Sequence, residues 1–169
     1  SVTGSYYFIQ ENHTPGNTSL QPGDYNASHR WAQLRMKAEH YLSKGGWYKP
    51  GYYIEGVLSN QPVFRNYYGT IINSPALYTL QDSPTLILEN FRAFNYLAAG
   101  IRNIFTIRPK LDFRVEAYIF KPFEYLQQGP DQEVVFASDF SAFYFTGTAG
   151  LVLHSPIGPV SLSFNYYDD

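Results

Sequence analysis

Lys110-Leu111-Asp112-Phe113-Arg114-Val115-Glu116-Ala117-Tyr118-Ile119-Phe120 alternates apolar and polar residues along its length. In an extended chain successive side chains point to opposite faces. Leu111, Phe113, Val115, Ala117 and Ile119 therefore share one face, and Lys110, Asp112, Arg114, Glu116 and Tyr118 share the other. Soluble strands average about 5–6 residues, whereas about 9–11 are needed to cross a bilayer. This stretch has the second length. In a membrane the charged face decides the orientation. One Lys or Arg on the lipid side at mid-depth costs about 2–4 kcal/mol, so Asp112, Arg114 and Glu116 face a polar interior and the apolar set faces lipid. The same pattern also fits a soluble sandwich or calycin barrel with its apolar face turned inward.

The period of two recurs. Trp31 to Leu42, Phe143 to His154 and Val160 to Tyr166 alternate clearly, and Ser5 to Gln10, Tyr52 to Ser59 and Asn95 to Ile107 do so more weakly. Seven strands result. The connections 11–30, 60–90 and 124–134 are long, while 43–51, 108–109 and 155–159 are short. Short turns on one side and long loops on the other describe outer-membrane barrels. The expected fold is all-β: residues 1–169 form one partial domain, the C-terminal portion of an antiparallel transmembrane β-barrel. Bacterial single-chain barrels have even strand numbers, and an open edge in lipid leaves backbone groups unsatisfied. Further strands are therefore expected before Ser1 and after Asp169.

Composition supports this reading. Aromatics make up 18% of the chain, with 16 Tyr and 13 Phe, and charged residues only 15%, against about a quarter in average soluble domains. Tyr and Trp favour places where one end is apolar and the other wet. Trp31, Trp47, Tyr48, Tyr52 and Tyr53 are read as an aromatic girdle at the membrane surface; the rival reading is a platform for a sugar. A net charge of −2 without a Lys/Arg cluster argues against nucleic acid. The absence of cysteine excludes disulfides and thiolate chemistry. No apolar run reaches the roughly 18 residues of a transmembrane helix.

Leu151 to Tyr167, with Ser155-Pro156-Ile157-Gly158-Pro159 at its centre, resembles the penultimate hairpin of the BamA superfamily of outer-membrane barrels (bacterial surface antigen type). Pro156 and Pro159 lack the N–H that a ladder needs and Gly158 tolerates tight geometry, so all three are placed in a periplasmic turn. The resemblance implies sixteen strands and a long loop folded into the barrel, here 60–90. Phe64-Arg65-Asn66-Tyr67 is similar to that family's Val-Arg-Gly-Phe/Tyr loop motif, with Asn66 in place of Gly. It implies that Arg65 pairs with an inward acid, Glu116, with Asp112 as a second candidate. The alternative is a solvated Arg65 and a Glu116 paired locally with Arg114 or Lys110. Phe91 to Gly100 resembles the barrels fused behind patatin-like phospholipase domains in Bacteroidetes-type bacteria.

The chain carries no Gly-x-Ser-x-Gly elbow and no Gly-rich phosphate loop. His13, His29, His40 and His154 lack ligand spacing, and Asp139 and Ser141 lack a histidine partner. No catalytic residue, cofactor or metal is expected here. The resemblance implies an outer-membrane anchor or translocation domain of a patatin-like lipid acyl hydrolase, with the catalytic dyad upstream. The alternative is a BamA-type assembly barrel without enzymatic activity. Expected partners are outer-membrane lipid, the remainder of the barrel, an upstream domain and other outer-membrane proteins.

Overall fold

The computed structural model describes residues 1–13, 25–43, 45–79, 85–129, 134–137 and 142–168. Seven antiparallel strands form one meandering sheet. In order across it they are β1 (Val2–His13), β2 (Tyr25–Tyr41), β3 (Tyr48–Ser59), β4 (Tyr96–Arg108), β5 (Leu111–Pro122), β8 (Tyr144–Ser155) and β9 (Gly158–Tyr167). Between β5 and β8, the short strands β6 (Tyr125–Gln128) and β7 (Val134–Ala137) pair as a separate hairpin. Each strand expected from alternation is present in the main sheet, and the architecture is all-β and antiparallel. β1 and β9 are the two edges of the sheet.

The strands are staggered. The row Tyr41–Gly51–Arg102–Glu116–Thr148–Asn165 lies at the end of β2 but near the middle of β5 and β8.

The register separates two faces. One carries Leu34, Met36, Ile54, Leu58, Leu97, Ile101, Ile119, Leu151 and Leu162, all exposed. No described element packs on it. We call this the outer face. The inner face carries Arg35, Glu55, Arg102, Glu116 and the rings of Tyr53, Tyr96, Tyr118 and Phe120. It is covered by the segment joining β3 to β4, whose Leu77, Phe91 and Ala93 pack against Tyr53, Val57, Tyr96 and Phe120. The exposed aliphatic side chains of the sheet are thus on the outer face, and its largest buried rings lie beneath this loop.

Several boundaries differ from the sequence reading. β1 and β2 run into the stretch read as a loop, pairing Glu11 with Ala27 and Asn12 with Asn26. There a neighbouring strand overrides the turn preference of Asn and Ser. The loop 60–90 contains a helix, α1 (Tyr67–Asn73). Asn66 caps it, its Oδ1 accepting from the N–H groups of Tyr68 and Gly69 at 2.8 and 3.3 Å, as Asn does at helix starts. Lys110, read as a strand residue, sits in the β4–β5 turn with φ 78°. Pro159, read as a turn residue, lies in β9 opposite His154. The His154 N–H donates to the carbonyl of Lys110, on the β5 side of β8, so the N–H that Pro159 lacks belongs on the open side of the edge strand, where Pro is tolerated. The turn itself is Pro156-Ile157, and Gly158, at φ 130°, opens β9. The expected features at Asp139 and Ser141 lie outside the described residues.

Candidate functional site

β3 presents Glu55 on the inner face, 2% exposed. A carboxylate at that depth needs charge and hydrogen-bond partners. The register supplies them: Val57 stands opposite Arg35 on one side and Tyr96 on the other, and both long side chains reach diagonally to Glu55. Arg35 Nη1 is 2.7 Å from Glu55 Oε1, and the Tyr53 and Tyr96 hydroxyls donate to the carboxylate. The same groups hold the loop. Ala76 O lies 3.0 Å from Tyr96 Oη and 3.4 Å from Arg35 Nη2. The loop is also tied internally. Arg92 Nη1 donates to the carbonyls of Ile71 and Ile72 at the end of α1, at 3.0 and 3.1 Å. Tyr67 donates to Glu89 at 2.7 Å. Burial, and then the Glu89 carboxylate, push the Tyr67 phenol above its ordinary range.

A second cluster centres on Arg102 of β4. Its guanidinium lies over the rings of Tyr53 and Tyr118, 4.8 and 5.6 Å from their centroids. It donates to Tyr118 Oη and to Glu39, each at 2.7 Å, and stands 3.6 Å from Glu116 Oε2. Tyr118 donates in turn to Glu116. This packing depends on Gly100: a Cβ there would lie 2.3 Å from Tyr118 Cδ1. Nearer the short turns, Asp112 accepts from Thr106 Oγ1 at 2.8 Å and pairs with His154 Nε2 at 2.9 Å. Threonine and histidine both converge on the carboxylate, which is not the order of a catalytic triad, where the histidine stands between acid and nucleophile. Among the described residues, no three His, Cys, Asp or Glu side chains are grouped to hold a metal. The polar face is a set of paired charges that ties strands to one another and to the loop.

The residues expected from the sequence are distributed differently. Arg65 is exposed, and its backbone N–H donates to Glu11 of β1 at 3.1 Å. Glu116 is on β5, four strands away and nearer the short turns, held by Arg102 and Tyr118. The Arg65–Glu116 lock is therefore corrected: Arg65 follows β3 at its long-loop end and cannot reach the middle of β5. Asp112 is inward, but tied to Thr106 and His154. The residues that pin the loop are Arg35, Glu55 and Tyr96. Inward parity on β2, β3 and β4 was the signal that could have found them.

The aromatic set also divides. Trp47, Tyr48 and Tyr52 are exposed, at 70%, 38% and 40%. Tyr48 stacks on Phe105 at 5.0 Å, and Trp47 lies 6.1 Å from the same ring, at the short-turn end. Trp31 and Tyr53 are inward and buried. Trp31 stacks on Tyr7 at 5.0 Å and meets Phe64 of the loop edge-on. They are corrected from girdle to core, because strand parity places them with Arg35 and Glu55. At the long-loop end, the outer face has rings with cations over them: Arg30 over Phe8 at 5.3 Å and Lys121 over Phe143 at 4.3 Å.

Comparison with protein-family models, curated proteins and solved structures finds no match.

Proposed function

We propose that this chain is a stretch of the wall of an outer-membrane β-barrel, with the outer face against lipid and the inner face lining the lumen beneath the docked loop. The observation that carries the reading is the outer face. Across seven strands its middle is aliphatic, exposed and free of charge among the described residues. Seven strands about 4.8 Å apart, with an apolar band about 25 Å tall, make a face of about 700 Å². Soluble monomers rarely expose a contiguous apolar patch beyond a few hundred Å². Aromatic clusters flank the band at both ends, and Arg30 and Lys121 lie toward the long-loop end, where their heads can reach water. The soluble alternative needs a layer to cover this face, and no described element does so.

The open edges add a constraint. β1 and β9 run in the same direction, so antiparallel closure takes an odd number of further strands between them. A second copy of this sheet in the same orientation would meet both edges in parallel.

Within this reading, the chain anchors a patatin-like lipid acyl hydrolase whose catalytic groups lie outside these residues. That finer assignment rests on the likeness of Leu151 to Tyr167 and Phe91 to Gly100 to such barrels. A BamA-type assembly barrel is the second reading, supported by the same hairpin.

The two tryptophans provide the test. In lipid vesicles, Trp31→Phe leaves Trp47 as reporter and Trp47→Phe leaves Trp31. Lipids brominated near the headgroup should quench Trp47 strongly and Trp31 little. A Trp47 that no brominated lipid quenches would rule out the membrane reading.

A further inference from the structure

Arg114 is an inward-facing cation of β5 that the paired charges leave out. Among the described residues it makes neither an ion pair nor a hydrogen bond, and its Nε is buried without a partner. Its acidic neighbours are engaged: Asp112 with Thr106 and His154, Glu116 with Tyr118 and Arg102. Opposite Arg114 the register places Gly150 of β8, and beyond it Ser163 of β9. A Cβ on Gly150 would meet Leu162 O at 2.8 Å and the Ser163 Cβ at 3.0 Å. The glycine therefore brings two backbones close and places no side chain opposite the guanidinium. The result is a cavity of about 80 Å³ lined by Arg114, Thr148, Ser163, Asn165 and Thr79 of the loop. At about 30 Å³ per water it has room for two or three waters, hence for a small ion.

We propose that this cavity binds a small singly charged oxyanion, a carboxylate. Arg114 supplies the charge, its two terminal Nη groups forming a fork that matches two carboxylate oxygens, and Ser163 and Asn165 supply further donors, the Thr148 hydroxyl being engaged with Phe164 O. Glu116 also lines the cavity. Its charge repels a phosphate dianion about twice as strongly as a carboxylate at the same distance, which sets the preference. The site belongs to the polar face and does not depend on what covers the apolar one.

The test is a titration of the purified protein in non-ionic micelles, following arginine side-chain N–H resonances with ¹⁵N. The Arg114 Nε–H signal is assigned by its loss in Arg114→Lys. Sodium acetate should shift it saturably. Phosphate should bind at least threefold more weakly, and chloride at equal ionic strength should not saturate. Ser163→Ala, a small change on an edge strand, should weaken acetate severalfold while the Arg114 signal and the fold persist. The site falls if acetate does not saturate or if chloride acts equally. Phosphate binding as tight as acetate overturns the carboxylate assignment. An unchanged acetate affinity in Ser163→Ala overturns the role of β9.

Discussion

Arg35 and Glu55 form a 2.7 Å ion pair between β2 and β3, and Arg35 also reaches Ala76 O of the loop that covers them. One pair thus joins the wall to the segment docked on it. Glu55→Gln keeps the shape and removes the charge. Breaking a buried pair by removing one partner costs about 3–5 kcal/mol, because the other charge is left uncompensated. We expect a loss of about 3 kcal/mol in urea unfolding from lipid vesicles, with Ala76 and its neighbours exposed to protease first. The double variant Glu55→Leu/Arg35→Met should recover most of that loss.

Ile101 stands at the middle of the outer face, 58% exposed. Ile101→Arg should destabilise the protein by about 2–4 kcal/mol in bilayers, the cost of a cation on the lipid side at mid-depth. Thr148→Arg, on the inner face, should cost far less. Exposed sites in water usually change stability by less than about 0.5 kcal/mol, so equal and small effects of both substitutions would contradict a lipid-facing Ile101.

The Tyr118 ring lies against the β4 backbone at Gly100. Gly100→Ala places a methyl 2.3 Å from the ring and 2.6 Å from Ala117 O. Overpacking of this kind costs about 1–3 kcal/mol, and displacing Tyr118 also loosens Arg102. Gly4→Ala, where a Cβ meets nothing within 4 Å, should leave the unfolding midpoint unchanged. Equal midpoints for both variants would count against the ring-over-glycine packing.

Burial and Glu89 raise the phenol pKa of Tyr67 from an unfolded value near 10. The proton is held more tightly in the folded state, so this contribution is fully present below about pH 10 and is lost as pH rises through the folded value. Above about pH 10 the segment around α1 should become progressively easier to cleave by protease. Tyr67→Phe should remove that step while leaving other alkaline changes in place.

Much of the fold was legible in the chain. Alternation at Lys110 to Phe120 and its repeats located every strand of the main sheet, because a two-residue period carries the same information as the pleat. Turn chemistry located the Pro156-Ile157 hairpin, and Asn66, four residues before Thr70, carried a helix start that the loop reading passed over. The β6–β7 hairpin was missed because its strands are only four residues each, too short for a period to register. Parity also contained the correct placement of Trp31 and Tyr53, which aromatic character alone assigned to the surface.

Pairing was a different matter. The sequence by itself determined which residues share a face, since that depends only on the local extended backbone. It did not determine which inward acid meets which inward base, because strand stagger and the path of the loop place partners that are far apart in the chain. Glu55 meets Arg35 and Tyr96, Glu116 meets Arg102, and Arg65 comes to lie beside Glu11 through contacts spanning 14 to 54 residues. Only the tertiary structure decided these, and with them the unpaired Arg114, because a charge counts as free only after every other charge on its face has been assigned a position in space.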